Sequence, residues 1–94
     1  MRQATIEKQM NSKHDGVQKI YRFDNGYGAS VINSEHSYGG NSGLWELAVL
    51  KFKGKSNYNY SLVFDTRITD GVIGALEDSE VDALLTWIES IISV

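Results

Sequence analysis

Residues 44–52 (LWELAVLKF) constrain the fold more than any other stretch. In an extended chain, alternation puts Trp45, Leu47, Val49 and Lys51 on one face and Leu44, Glu46, Ala48, Leu50 and Phe52 on the other. Both faces are largely apolar, so this segment reads as a central strand covered on both sides or nearly so. The chain has 94 residues. That is one domain, able to bury roughly 60–65% of its unfolded surface. The neighbours of the central strand must come from the rest of this short chain.

Candidate neighbours flank it. Residues 17–23 (VQKIYRF) are rich in β-formers, and 27–33 (YGASVIN) form a return strand after Asp24-Asn25-Gly26. An Asn-Gly pair between two such runs signals a tight hairpin in which both turn residues take positive φ. Gly28 within the return strand points to a bulge or a close backbone approach. Beyond the central strand, 53–57 (KGKSN) reads as a second hairpin turn. Residues 58–65 (YNYSLVFD) then alternate, with Tyr58, Tyr60, Leu62 and Phe64 on one face. With nine Gly and no Pro, the turns fall to Gly, Asn and Asp.

After Thr66 the period changes. Thr69 or Asp70 caps an expected short helical segment over 71–76. From Ser79 to about Ser93, Val81, Leu84, Leu85, Ile88, Ile91 and Ile92 make one stripe of a 3.6-residue period, with Trp87 off its centre. Glu77, Asp78, Glu80 and Asp82 crowd the start of this helix, where carboxylates favour the positive end of the macrodipole. The expected fold is α+β: a four-stranded antiparallel sheet of two hairpins, then a short helical segment and one long C-terminal helix packed on the sheet. Residues 17–94 form the single domain. Residues 1–16 read as a flexible or weakly helical N-terminal arm, because only Ile6 and Met10 are spaced to share a helix face. The second sheet face is left to the arm, a loop or a second copy, and a homodimer is expected from that exposure.

Charge and composition narrow the function. The chain has no Cys, which excludes disulfides and thiolate chemistry. It has no run of 18 apolar residues and no apolar leader at its start, which points to a cytoplasmic protein without membrane contact. Net charge is −3 but divided: residues 1–55 hold eight Lys/Arg against five Asp/Glu, and 56–94 hold only Arg67 against seven. The cations are scattered apart from Lys51, Lys53 and Lys55, a footprint that argues against nucleic acid as partner.

The candidate site is the segment 34–43 (SEHSYGGNSG) between two expected strands. Ten residues is long for such a connection, and long loops often carry function. Gly39 and Gly40 allow close backbone approach and an amide nest for an anion, while Glu35, His36, Tyr38 and Asn41 supply polar and stacking groups. Trp45, Tyr58 and Tyr60 extend the candidate surface, since Tyr and Trp dominate interface hot spots. The bland alternative is a solvated loop. The segment lacks the spaced Gly and Lys-Ser/Thr of a P-loop. His36 beside Ser34 and Ser37 is no triad, which needs spatial rather than sequential neighbours. His14 and His36 do not make a metal-binding spacing, and the acidic run is no EF-hand. No catalytic residue, metal ligand or cofactor is assigned.

Four stretches together resemble a set of small phage-encoded proteins of uncharacterised function: Phe23-Asp24-Asn25-Gly26-Tyr27-Gly28-Ala29-Ser30-Val31, Ser37-Tyr38-Gly39-Gly40, Gly43-Leu44-Trp45-Glu46-Leu47-Ala48-Val49, and Asp65-Thr66 with Ile68-Thr69-Asp70. The resemblance covers residues 17–92 and departs at Arg67 and Gly71. It implies a bacterial-host cytoplasmic setting and carries over no activity. The resulting expectation is a non-enzymatic phage accessory protein that binds and inhibits or modulates a host macromolecule, with a host protein, including a defence component, as partner. The alternative is a small-molecule or nucleotide-sequestering protein using the glycine-rich 34–43 loop.

Overall fold

The computed structural model describes residues 1–9, 16–34, 43–63 and 72–91. They form six strands and one helix in the order β1 (Ile6–Gln9), β2 (Gly16–Arg22), β3 (Tyr27–Ser34), β4 (Trp45–Phe52), β5 (Tyr60–Leu62), β6 (Val72–Leu76) and α1 (Asp78–Glu89). All strands join one antiparallel sheet in the order β1-β2-β3-β4-β5, and β6 also pairs with β4.

β4 is central, as its two apolar faces require. On the face under α1, Leu47 and Val49 pack with Tyr21, Phe23, Ala29, Val31 and Leu76 against Val81, Leu85 and Ile88 of the helix. On the opposite face, Leu50 and Phe52 join Ile20 in a smaller cluster, with Ile6 and Tyr60 packed on it. The second face is therefore not bare. It carries its own cluster, built by strands that also form the main core.

β3 flanks β4 on one side, and β5 and β6 share the other. Leu62 pairs with Leu50, Val63 N–H donates to the Val49 carbonyl at 2.9 Å, and Val72 pairs with Ala48. The chain thus meets adjacent rungs of β4 before and after residues 64–71.

Four expectations are corrected. Among the described residues the sheet has six strands, where four were expected. Of the helical segment expected over 71–76, the described part, Val72–Leu76, is strand β6: Val72 and Ile73 favour a pleated backbone, and five residues gain more by pairing with the open side of β4 than from one isolated helical turn. A register shift between Trp45 and Leu47 and a left-handed Ala75 (φ 58°) mark a bulge that turns β6 toward the helix. The arm supplies strand β1, since Ile6 finds the second-face cluster and Ile6–Gln9 pairs with β2. The Asp24-Asn25-Gly26 turn has positive φ only at Gly26 (85°), so it is a three-residue hairpin loop and not a two-residue one.

The first residues dock along α1. Arg2 N–H donates to Asp82 Oδ1 at 2.8 Å, and the Arg2 guanidinium lies 3.2 Å from Glu89 Oε2 and 5.0 Å from the Phe23 ring centroid. Met1 and Ala4 pack against the main core. The buried Tyr21 hydroxyl donates to the Arg2 carbonyl at 2.7 Å.

Burial, then the charge of Asp82 and of Glu7, raises the Tyr21 pKa above its ordinary value near 10. The folded state thus favours the neutral phenol. That stability is fully present below about pH 10 and is lost as pH rises through the folded-state pKa. Urea titrations from pH 8 to 11 are expected to show wild-type stability falling above pH 10 more steeply than that of Tyr21→Phe. Parallel pH profiles for the two proteins would contradict the assignment.

α1 starts at N-cap Glu77, whose backbone N–H donates to Glu80 Oε1 at 3.0 Å. It ends at Glu89, earlier than the apolar stripe suggests, with Ser90 as C-cap. Ile92 lies outside the described residues.

Candidate functional site

Two ends of the sheet, set by the direction of β4, carry the candidate residues. At its start, Trp45 lies on the helix face. Its indole N–H donates to Asp78 Oδ1 at 2.7 Å, and the Lys19 ammonium sits 5.2 Å from its ring centroid. Lys19 also lies 3.6 Å from Glu7 Oε1. Trp45 thereby links β4 to the first turn of α1, which is a structural task.

At the other end, β4 leads into the turn 53–59. Lys53 N–H donates to the Asn59 carbonyl at 2.9 Å, and Gly54 takes φ 73°, so the turn closes on its own backbone. Arg22 reaches it from β2. Its guanidinium donates to the Gly54 carbonyl at 2.5 Å, the Ser56 carbonyl at 3.0 Å and Asn57 Oδ1 at 3.3 Å. The same group lies 5.0 Å from the Phe52 centroid, and Tyr60 meets Phe52 edge-on at 5.5 Å. Arg22 is held by the second-face aromatics and in turn holds the turn by three donated bonds.

Tyr58 stands on that turn at 73% exposure, with Lys53 and Lys55 also exposed. Its backbone N–H donates to Ser56 Oγ at 3.1 Å, which fixes the base of the side chain. Beside the turn, an open depression is lined by Thr5, Arg22, Phe23, Asp24 and Gly26. Thr5 Oγ1 accepts the Arg22 backbone N–H there at 3.0 Å.

The sequence-based candidates separate on this geometry. Glu35, His36, Tyr38, Gly39, Gly40 and Asn41 lie outside the described residues. Trp45, Tyr58 and Tyr60 do not share one surface. Trp45 and Phe52 stand at opposite ends of β4, about 24 Å apart at the rise of a strand, and Tyr60 pairs with Phe52 on the face away from the helix. Trp45 and Tyr60 are scaffold, and Tyr58 is the one of the three that projects into solvent. Arg22 had no signal in the sequence, because its partners are more than thirty positions away. Trp87, off the helical stripe, is 54% exposed on α1.

Among the described residues, no three His, Asp or Glu side chains gather as a metal site requires, and no helix is long and apolar enough to cross a membrane. No protein-family model, curated protein or solved structure matches the chain.

Proposed function

We propose that the protein is a non-enzymatic binding module, a phage accessory protein that engages and modulates a macromolecule in the cytoplasm of a bacterial host. The turn 53–59 is its contact surface. One observation carries this reading: an exposed Tyr58 on a turn that Arg22 clamps through Gly54, Ser56 and Asn57. A fixed turn loses little conformational freedom on binding, and tyrosine concentrates binding energy at interfaces. The clamp adds nothing to the main core under α1. A preformed contact surface gives it a purpose.

Capture from bacterial lysate with the tagged protein and with Tyr58→Ala tests the proposal. A macromolecule retained by the wild type and lost with the variant supports it. Identical capture profiles for the two would remove the turn as the contact surface. Tyr58→Ala should shift folding stability by less than about 0.5 kcal/mol, as expected for an exposed position.

A further inference from the structure

We infer that Asn25-Gly26 is a spontaneous modification site that the fold holds shut, so that deamidation of Asn25 marks chains whose helix end has come undone. This is independent of the contact surface proposed for the turn 53–59.

The chemistry needs only water. The Gly26 backbone nitrogen gives up its proton and attacks Asn25 Cγ, forming a C–N bond. The Cγ–Nδ2 bond breaks, and Nδ2 takes up a proton and leaves as ammonia. Water then opens the resulting five-membered imide at either carbonyl, giving aspartate or its β-linked isomer at this position. The proton lost by one nitrogen is gained by the other, and nothing is oxidised or reduced. Glycine is the most permissive successor to asparagine here, because no Cβ shields its nitrogen or restricts its backbone.

In the folded chain each participant is engaged. The Gly26 N–H donates to the Phe23 carbonyl at 3.1 Å, and the Gly26 carbonyl accepts the Phe52 N–H at 2.8 Å, so this residue is tied both to its own hairpin and to β4. A carbonyl acceptor beside the N–H favours the protonated nitrogen over the anion that attacks. Closing the ring also pulls Cγ onto Gly26 and carries the carboxamide with it. Its nitrogen would have to leave the carbonyls of Ile88, Glu89 and Ile91, at 2.9, 3.1 and 2.9 Å. Its oxygen accepts the Tyr27 N–H at 3.0 Å, the one contact able to steady charge on that atom during attack. All the others oppose the reaction. The lock on this dipeptide is therefore closed by the end of a helix more than sixty positions away.

The outcome runs one way. An aspartate here has no N–H to offer those carbonyls and sets a carboxylate against the negative end of the α1 macrodipole. The β-linked isomer lengthens the backbone of a turn in which the Phe23 N–H donates to the Tyr27 carbonyl at 2.8 Å, and so strains that closure. Either product weakens the contact whose opening produced it. A chain that has opened once is less able to close again, and it keeps the record as an added negative charge.

Full-length protein incubated at pH 8 in buffer and in denaturing urea, with the modified position located by peptide mapping, tests this. Modification should follow the population of the open chain, so Asn25 should react at least about 100-fold more slowly in buffer than in urea. Ile91 is partly buried where the helix ends, so its truncation loosens the lock and leaves the central core residues in place. Ile91→Ala should raise the rate in buffer by about tenfold. The fraction modified at Asn25, separated by ion exchange, should unfold at lower urea than the unmodified fraction.

Equal rates in buffer and urea, an unchanged rate in Ile91→Ala, or modified chains as stable as unmodified ones would each overturn the inference. The comparison of buffer with urea needs no variant and decides the matter even where Ile91→Ala does not fold.

Discussion

Gly28→Ala is expected to be severely destabilising, lowering Tm by about 20 °C. Gly28 pairs with Leu50 of β4 and with Arg22 of β2 in the middle of the sheet. A Cβ on Gly28 would lie 1.9 Å from the Tyr21 carbonyl oxygen, 2.9 Å from the Tyr21 carbonyl carbon and 2.7 Å from Phe52 Cε2. A side chain can swing aside, but a backbone carbonyl inside a paired strand cannot move without breaking the β2–β3 register. Overpacking in a core costs about 1–3 kcal/mol even where neighbours can shift. Here the loss should reach about 4 kcal/mol, the range reserved for mutations that break a named constraint. For a domain of this size that is a fall in Tm of about 20 °C, measured by circular dichroism. The double variant Gly28→Ala, Phe52→Leu separates the two clashes. It should not recover stability, since the carbonyl contact remains. Recovery would show that the Phe52 ring, and not the backbone, sets the requirement for glycine.

Asn25→Ala should lower stability by about 1–2 kcal/mol, the cost of losing its hydrogen bonds to the Tyr27 N–H and to carbonyl groups at the end of α1. Asn25 Oδ1 accepts the Tyr27 N–H at 3.0 Å, which orients the carboxamide. Its nitrogen then lies 2.9, 3.1 and 2.9 Å from the carbonyl oxygens of Ile88, Glu89 and Ile91. Two of these carbonyls belong to the last turn of α1, and the Ile88 oxygen also accepts the Ile91 N–H at 3.1 Å, so the carboxamide adds a donor from outside the helix. The last turn of α1 holds no basic residue that could take on this role. Asn25→Asp should be worse than Asn25→Ala, because it places a carboxylate against the negative end of the helix macrodipole. Asn25→Asp as stable as wild type in urea denaturation would mean that the β2–β3 turn does not cap the helix.

The same asparagine shows where sequence reading succeeds and where it stops. Asp24-Asn25-Gly26 marks a turn by local rules, and a turn is present. Those rules assign Asn25 a backbone role, positive φ, that it does not have. Its actual partners lie more than sixty positions away. Residues with local periodicity were legible: the two apolar faces of β4, the β2–β3 hairpin, and the Val81, Leu85 and Ile88 stripe of α1. β1 and β6 were not legible. β1 holds too few apolar residues to declare a period, β6 (VIGAL) is apolar on both faces and too short to show one, and each becomes a strand because a longer strand offers it an edge. At the candidate site, Tyr58 was visible as a surplus aromatic. The Arg22 clamp that fixes its setting was not, because an arginine at the end of a β-strand pattern has no local signature for a distant loop.

β1 carries a consequence that follows from symmetry. Among the described residues, nothing pairs on its far side, so its outer backbone groups form a sheet margin. A two-fold axis relating two antiparallel copies of one strand must pass through a residue facing its own duplicate. For the best-overlapped registers of Ile6–Gln9, that residue is Glu7 or Lys8. Each arrangement sets two like charges directly opposite, which is destabilising. An unrelated strand is under no such rule and can set a cation against Glu7 and an anion against Lys8. The margin therefore rejects its own copy while remaining open to a stranger, a form of self-avoidance written in two adjacent side chains of opposite sign. A homodimer of this protein would have to be built through another surface.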